Sequence, residues 1–439
     1  MSAGSLTLLA VPCRKLCGSL QVPGDKSISH RALMLSAIAE GRSLIRGFLE
    51  GGDTRATLAA FQAMGVEVER PEPGRLSVQG VGLHGLSPPS LALDLGNSGT
   101  AMRLMAGLLA GQRFDSELRG DPSLSQRPME RIVEPLRRMG AEVQCVGAGC
   151  TPPLRIAGGQ VLVGIRYQMP VASAQIKSCL LLAGLYAGGE TQVIEPAPSR
   201  DHTERMLEQF GYPTHRSTSA VSVQGQGKLF ATSVQVPADL SSAAFFMVGA
   251  AIAPGSDLLL RSVGVNPTRT GVIEILRRMG ADIALLNQRS GGAEPTADIR
   301  VRGARLHGIR IEPLWVPLAI DEFPALFLAA ACAEGQTIVT GAAELRVKES
   351  DRIEAMAKGL RALGIRARST ADGMIIDGGT LQGGVVDSQG DHRVAMAFAM
   401  AALRSSEPVN ILDCAHIATS YPQFLEHARS VGLDVVSRP

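Results

Sequence analysis

Two kinds of apolar pattern alternate along the chain. AMRLMAGLLAG (101–111), SCLLLAGLYAGG (178–189), FFMVGAAIA (245–253) and VAMAFAMAALR (394–404) are apolar nearly all round, which predicts helices buried inside a helical layer. DTRATLAAFQAMGVEV (53–68), RPMERIVEPLRRMGAEV (127–143), RTGVIEILRRMGADI (269–283) and SDRIEAMAKGLRALGIRA (350–367) carry one apolar and one charged face, so they belong nearer solvent. DHTERMLEQFGY (201–212) and YPQFLEHARSVGLDV (421–435) are weaker copies of the second kind. All six begin with polar capping residues and stop at a glycine: Gly65, Gly140, Gly211, Gly280, Gly364 and Gly432.

The pattern is therefore a six-fold repeat. The buried helices are expected to begin near Arg31, Thr100, Ser173, Ser241, Asp321 and Asp391, with short β-branched runs (SLIRG, TQVIEP, DLLLRSV, QTIVTG) between helices. Each unit reads as helix–strand–helix–strand. At 439 residues the chain is too long for one ordinary core, and six units divide into two similar α/β domains of three. A boundary near Leu240 fits, because VQVPADLSS reads as a strand followed by a helix cap. Helices inside and sheets outside is the arrangement this favours. A regular solenoid scaffold is the alternative. Against it, the segments that open the buried helices (GDKSISHR, GNSGTAMR, VASAQIKS, DLSSA, DEFPA, GDHRV) are not interchangeable turns, and such divergence suits a site assembled from several helix starts.

Composition narrows the function. The net charge is +2, Lys and Arg are scattered, and aromatic residues make up 4%, so neither a nucleic-acid stripe nor a base-stacking platform is expected. The apolar stretches are too short to span a bilayer, and no secretory leader pattern is seen. A cytoplasmic protein without membrane partners is the expectation. The seven cysteines have irregular spacing, which suits reduced thiols, and no second Cys/His pair completes a metal site. There is no Walker A loop, dinucleotide fingerprint or nucleophile elbow, so neither cofactor nor metal is expected.

The candidate chemistry is cationic. GDKSISHR places Lys26, Ser27 and Arg31 beside a helix start, where the peptide dipole disfavours cations unless an anion is bound; a solvated charged helix start is the plainer reading. GNSGT (96–100) is either a simple turn or a backbone that a ligand can approach closely, with Asn97 able to cap the helix. Arg127 precedes a proline, and SAQIK offers Ser173, Gln175 and Lys177 to a hydroxylated, phosphorylated ligand. Asp321 is either an N-cap or an acceptor for a substrate hydroxyl proton. RVKESDR (346–352) is either a surface ion network or a site in which Glu349 carries a proton while Lys348 and Arg352 grip anions. Arg127, Arg352 and Arg393 together suit a clamp on carboxylate or phosphate.

Taken together, GDKSISHRA, LGNSGTAMRL, RPM, PVASAQIKS, DEFP, RVKESDR, GDHRVAMAF and IATSYPQF occur in an order that resembles the 5-enolpyruvylshikimate-3-phosphate synthase family across essentially the whole chain. The resemblance implies two domains, each of three βαβαββ units in an inside-out, barrel-like α/β arrangement. It implies 1–23 plus 241–439 as a discontinuous domain, 24–240 as the other, and an active site in the cleft between them. The implied reaction moves the enolpyruvyl group of phosphoenolpyruvate to the 5-hydroxyl of shikimate 3-phosphate and releases phosphate. By motif, Lys26, Ser27, Arg31, Ser173, Ala174, Gln175, Arg200, Asp321 and Lys348 would serve shikimate 3-phosphate. Lys26, Asn97, Gly99, Arg127, Gln175, Arg352 and Arg393 would serve phosphoenolpyruvate. Asp321, Glu349 and Lys26 would be catalytic, with the proton relay open between Glu349 and Lys26. A monomer is expected.

The chain departs from the common pattern at Ala174, where many relatives have Ser, at Thr419, where many have Lys, and at Glu344, where Asn is common. By the resemblance, Arg200 is expected to replace the phosphate contact missing at Ala174. The related UDP-N-acetylglucosamine enolpyruvyl transferases usually have Asn at the position of Ser27, and a Cys in the loop that here reads GQRFDSELRGDPSLSQRP. The RNA 3′-terminal phosphate cyclase fold group and a non-catalytic repeat scaffold are more distant readings.

Overall fold

The structure, a computed structural model, describes residues 6–438. Residues 1–5 and 439, which the sequence reading assigns to the discontinuous domain, lie outside the described residues. The chain forms two compact units. One comprises Gly24–Val236 with the short segment Gly291–Glu294; the other holds the chain up to Pro23, Pro237–Ser290 and everything from Pro295 on.

The first unit contains α1 (Lys26–Ile38), α2 (Gly52–Ala63), α3 (Gly99–Leu109), α4 (Glu130–Arg138), α5 (Ala174–Gly184) and α6 (His202–Gln209). The second contains α7 (Leu240–Ile252), α8 (Gly271–Arg278), α9 (Val316–Ala319), α10 (Phe323–Ala331), α11 (Arg352–Ala362), α12 (His392–Ala401), α13 (Ile417–Ser420) and α14 (Phe424–Ser430). The helices that are apolar all round form the cores. α7 is buried along its whole length, as are α10 and α12. In the first unit α3 and α5 touch backbone to backbone, since a Cβ at Gly107 would lie 2.1 Å from the carbonyl oxygen of Cys179. The six stop glycines all have φ between +77° and +108°, the left-handed conformation that ends a helix without a Cβ clash.

Among the described residues, six four-stranded sheets accompany the helices, three to a unit, and each joins one parallel pairing to two antiparallel ones. Leu93–Asp94 runs parallel to Ser116–Arg119, which pairs antiparallel with Thr151–Ile156 and so with Val143–Gly147. Three sheets are completed by distant pieces of chain; in one, Thr7–Val11 lies between Val409–Leu412 and Asp434–Arg438, antiparallel to both. Ser233–Gln235 lies parallel to Glu40–Arg46, and Cys17–Leu20 lies parallel to Asp257–Gly264. Strands such as Arg75–Val81 alternate, with Leu76 and Val78 turned to the core. This is the two-domain inside-out α/β fold.

Two local readings are corrected. After each of the first five stop glycines the chain makes a hairpin of two strands, not one; after Gly432 the single strand Asp434–Arg438 pairs with Thr7–Val11. The outer strand of the first, Glu67–Glu72 (EVERPE), is mostly charged and has no β-branched run to betray it. The cysteines are not all reduced: Cys145 and Cys150 form a disulfide across the Val143–Gly147/Thr151–Ile156 hairpin, whose turn brings their Cα atoms to 4.9 Å. Among the described residues, no helix is long and apolar enough to cross a membrane.

Candidate active site

The candidates lie at the start of a helix or just before one, except Arg31, which is the sixth residue of α1. In the first unit, Asp25 caps α1 by accepting the N–H of Ile28 at 2.9 Å, so GDKSISHR lies largely within the helix rather than ahead of it. Lys26 is the first helical residue, a cation at the positive end of the dipole. Asp53, in the first turn of α2, offsets this from 2.9 Å. Five residues on, the buried Arg31 donates to the Thr203 hydroxyl (2.7 Å), the Ser178 hydroxyl (2.7 Å) and the carbonyl of Ser27 (2.9 Å). Burial, with the charge of Arg200 adding to it, holds the Arg31 guanidinium down at about 10. Two neighbouring guanidiniums, one of them desolvated, are an electrostatic arrangement that an anion relieves.

The start of α3 is capped by Ser98, which accepts from Ala101 N–H at 3.1 Å, and not by Asn97. Asn97 instead accepts from Arg127 Nη2 at 2.6 Å and donates to Asp121 at 2.7 Å, which orients the guanidinium of Arg127. Gly99 matters for space: a Cβ there would lie 2.9 Å from a terminal nitrogen of both Arg103 and Arg127. Ser173 caps α5, followed by Ala174 and Gln175. The Gln175 amide is fixed at both ends, accepting from Arg103 at 2.7 Å and donating to Thr100 at 3.0 Å. Lys177 is turned away from this face. It is 1% exposed and its ammonium meets Glu204 (2.7 Å), Glu195 (2.9 Å) and the Ser199 carbonyl (3.3 Å), which ties down the segment leading to Arg200.

The second unit carries the carboxylates. Asp321 is not a cap; Glu322 occupies the N-cap position of α10. The backbone carbonyl of Asp321 accepts from Arg393 Nη1 at 3.1 Å, and its carboxylate lies 3.5 Å from Arg352 Nη1. Arg352, 1% exposed, donates to Asp391 (2.7 Å) and Glu349 (2.5 Å). Burial alone would favour the neutral guanidine, but Asp391, Glu349 and Asp321 outweigh it and keep the group firmly charged. Its buried Nη1 makes no hydrogen bond among the described residues. Asp391 also caps α12 through the N–H of Arg393. Lys348 lies 3.9 Å from Glu344.

The structure thus places Lys26, Ser27, Asn97, Gly99, Arg127, Ser173, Ala174, Gln175 and Arg200 at or just before helix starts of the first unit, with Arg31 a turn further into α1. It gathers Asp321, Lys348, Glu349, Arg352 and Arg393 at helix starts of the second. Sequence reasoning missed residues that hold these groups, Asp53, Arg103, Ser178 and Thr203, and read Asp391 as a helix start without its bond to Arg352. One signal was available for Arg103, a single charge inside the otherwise apolar AMRLMAGLLAG.

The chain was compared with known proteins. The family described as EPSP synthase (3-phosphoshikimate 1-carboxyvinyltransferase) matches residues 11–428. The 3-phosphoshikimate 1-carboxyvinyltransferase of Methylococcus capsulatus is 65% identical over 426 residues, 97% of either chain. That of Nitrosococcus oceani is 62% identical over 99% of this chain and 98% of its own. The EPSP synthase structure from Acinetobacter baumannii superposes with a TM-score of 0.88 at 55% identity, covering 99% of this chain and all of that one. With the match running through every helix start described above, the chain belongs to the EPSP synthase (3-phosphoshikimate 1-carboxyvinyltransferase) family.

Proposed function

We propose that the two sets of helix-start residues act together on one pair of substrates. The reaction is the family's: the chain transfers the enolpyruvyl group of phosphoenolpyruvate to shikimate 3-phosphate and is an enzyme of the shikimate pathway. In this reading Arg127, Arg352 and Arg393 take the phosphate and carboxylate of phosphoenolpyruvate, with Asn97, Gly99 and Gln175 against it. Arg31, Arg200, Ser27, Ser173, Ala174 and Gln175 take the 3-phosphate and ring hydroxyls of the acceptor, with Lys348 on the Asp321 side and Lys26 reaching both ligands. The observation that supports these roles is the placement of these residues at or just before a helix start, where unsatisfied N–H groups favour anions, with Arg31 one turn further into α1.

The chemistry follows. A proton delivered to the methylene carbon makes C2 of phosphoenolpyruvate electrophilic. The 5-hydroxyl attacks C2 as Asp321 accepts its proton, giving a tetrahedral adduct. Loss of phosphate from C2, with removal of a methyl proton, restores the vinyl group. Glu349 or Lys26 relays the protons. The fixed cations stabilise charge as it develops on the adduct and leaving group. A cytoplasmic monomer without nucleic-acid or membrane partners completes the reading, and light scattering in solution checks the monomer.

The test is phosphate release from phosphoenolpyruvate, with shikimate 3-phosphate and, separately, UDP-N-acetylglucosamine as acceptor. Release only with shikimate 3-phosphate, and the matching enolpyruvyl product by mass spectrometry, is the expected result. Release only with the nucleotide sugar overturns it.

A further inference from the structure

A second buried ion cluster in the second unit engages Glu322, the residue that follows Asp321. Arg269, in the turn before α8, is 5% exposed. Its Nη2 lies 3.2 Å from Glu322 Oε1 and 3.6 Å from Asp239 Oδ1, and it donates to the Ser241 hydroxyl. The Ser241 hydroxyl in turn donates to Glu322. Asp239 caps α7 through the N–H of Ser241 at 2.9 Å. Glu322 is 2% exposed and opens α10. The cluster therefore joins the start of α7 to the start of α10 through one cation. Burying these charges costs desolvation that an apolar contact avoids, so stability alone is a weak reason for their presence.

What the cluster grips is the residue next to Asp321. On its other side Asp321 is met by Arg393 at the backbone carbonyl and by Arg352 at the carboxylate. Arg269 also occupies the same place in its repeat as Arg127 and Arg352 in theirs, at or within three residues of an outer-helix start. Like Arg352, it is engaged by carboxylates of its own unit.

We propose that Arg269, acting through Glu322, is a positioning residue for Asp321: it fixes the start of α10 and with it the direction of the Asp321 carboxylate. This rests on the reading of Asp321 as acceptor of the hydroxyl proton.

The test uses the full chain and four variants. Asp321→Asn is expected to abolish turnover; undiminished turnover overturns the role of Asp321 itself, independently of Arg269. Replacing Arg269→Met together with Glu322→Met removes the cation and the carboxylate that opens α10 at once, and leaves Asp239 its cap bond from the N–H of Ser241. This double variant is expected to unfold at a near-native urea midpoint. Its kcat should fall about 10- to 100-fold, with the KM for phosphoenolpyruvate within about threefold of the parent. Its acid limb in kcat against pH should also shift. Glu322→Gln keeps the shape and the accepting oxygen, and is expected to retain most of the parent's kcat. A folded double variant with the parent's kcat and pH profile overturns the proposal, as does loss in Glu322→Gln equal to that in the double variant. Should the double variant not fold, Arg269→Lys, which keeps charge but loses the planar fork, is judged by the same kcat and pH criteria.

Discussion

Lys26 Nζ and Asp53 Oδ2 sit 2.9 Å apart, joining the first residue of α1 to the first turn of α2. The pair holds a cation where the helix dipole opposes it, so the lysine is aimed before any ligand arrives. Lys26→Met and Asp53→Asn are each expected to slow turnover. Measured as a double-mutant cycle on kcat/KM, they should couple by about 1–3 kcal/mol. Purely additive losses would separate Asp53 from the function of Lys26.

Arg127 is oriented by Asn97 at 2.6 Å. Arg127→Ala is expected to lower kcat/KM about 100-fold or more, as when a fixed charge-stabilising donor is removed. Asn97→Ala, which leaves the guanidinium present but loose, should cost about tenfold. Steady-state kinetics with phosphoenolpyruvate varied checks both, and near-normal turnover in Arg127→Ala removes it from the site.

Gly99 leaves room for two guanidinium ends. In Gly99→Ala the new methyl meets terminal nitrogens of Arg103 and Arg127 at 2.9 Å, so flexible side chains shift rather than backbone. The expected result is a raised KM for phosphoenolpyruvate, with a smaller effect on shikimate 3-phosphate and little change in the thermal midpoint.

His30 is buried between the Thr57 hydroxyl (2.8 Å) and the Ser98 hydroxyl (3.3 Å). Desolvation, then the charges of Lys26 and Arg31, hold its pKa at about 3, against 6.5 ordinarily. The unfolded chain therefore binds the extra proton first as pH falls. The contribution to stability is complete above pH 6.5 and drains away between pH 6.5 and about 3. Urea titrations at pH 7 and pH 4 should show His30→Asn losing about 2–3 kcal/mol less than the parent on acidification. Parallel losses would refute the assignment.

Lys177 answers the buried Glu204 and the partly buried Glu195, and burial raises the pKa of Glu204 while Lys177 pulls it back. Lys177→Met is expected to destabilise the chain by about 3–5 kcal/mol, and adding Glu204→Gln to recover part of that. Because Lys177 also holds the Ser199 carbonyl, the KM for shikimate 3-phosphate should rise, as Arg200 follows directly.

The repeat and its buried helices were legible because an all-apolar helix and a glycine stop each leave a local mark; Gly65 and Gly432 can be read without knowing what they touch. The cations of the site were legible too, since Lys26 or Arg393 at the edge of an apolar run is conspicuous. Their holders were not. Asp53 lies 27 residues from Lys26, and Thr203 lies 172 from Arg31, so only the folded chain brings them together. The charged outer strand Glu67–Glu72 escaped because its order comes from pairing with Arg75–Val81 rather than from its own propensity.

The strand Ser233–Gln235 that completes the sheet of Glu40–Arg46 has a consequence for how such a chain can be assembled. It returns the end of the first unit to its beginning, where a Cβ on Gly24 would lie 3.2 Å from a Val236 methyl. Pro23 and Asp239, on the other unit, are likewise bonded, N–H to carbonyl, at 2.8 Å. Each unit thus closes on itself at the junction. More than two hundred residues have the layout of a cassette inserted at one point of a host, with almost no gap to bridge on removal. Excision, transplantation or duplication of a three-repeat block then needs only two neighbouring cuts, a route by which one ancestral half can become two.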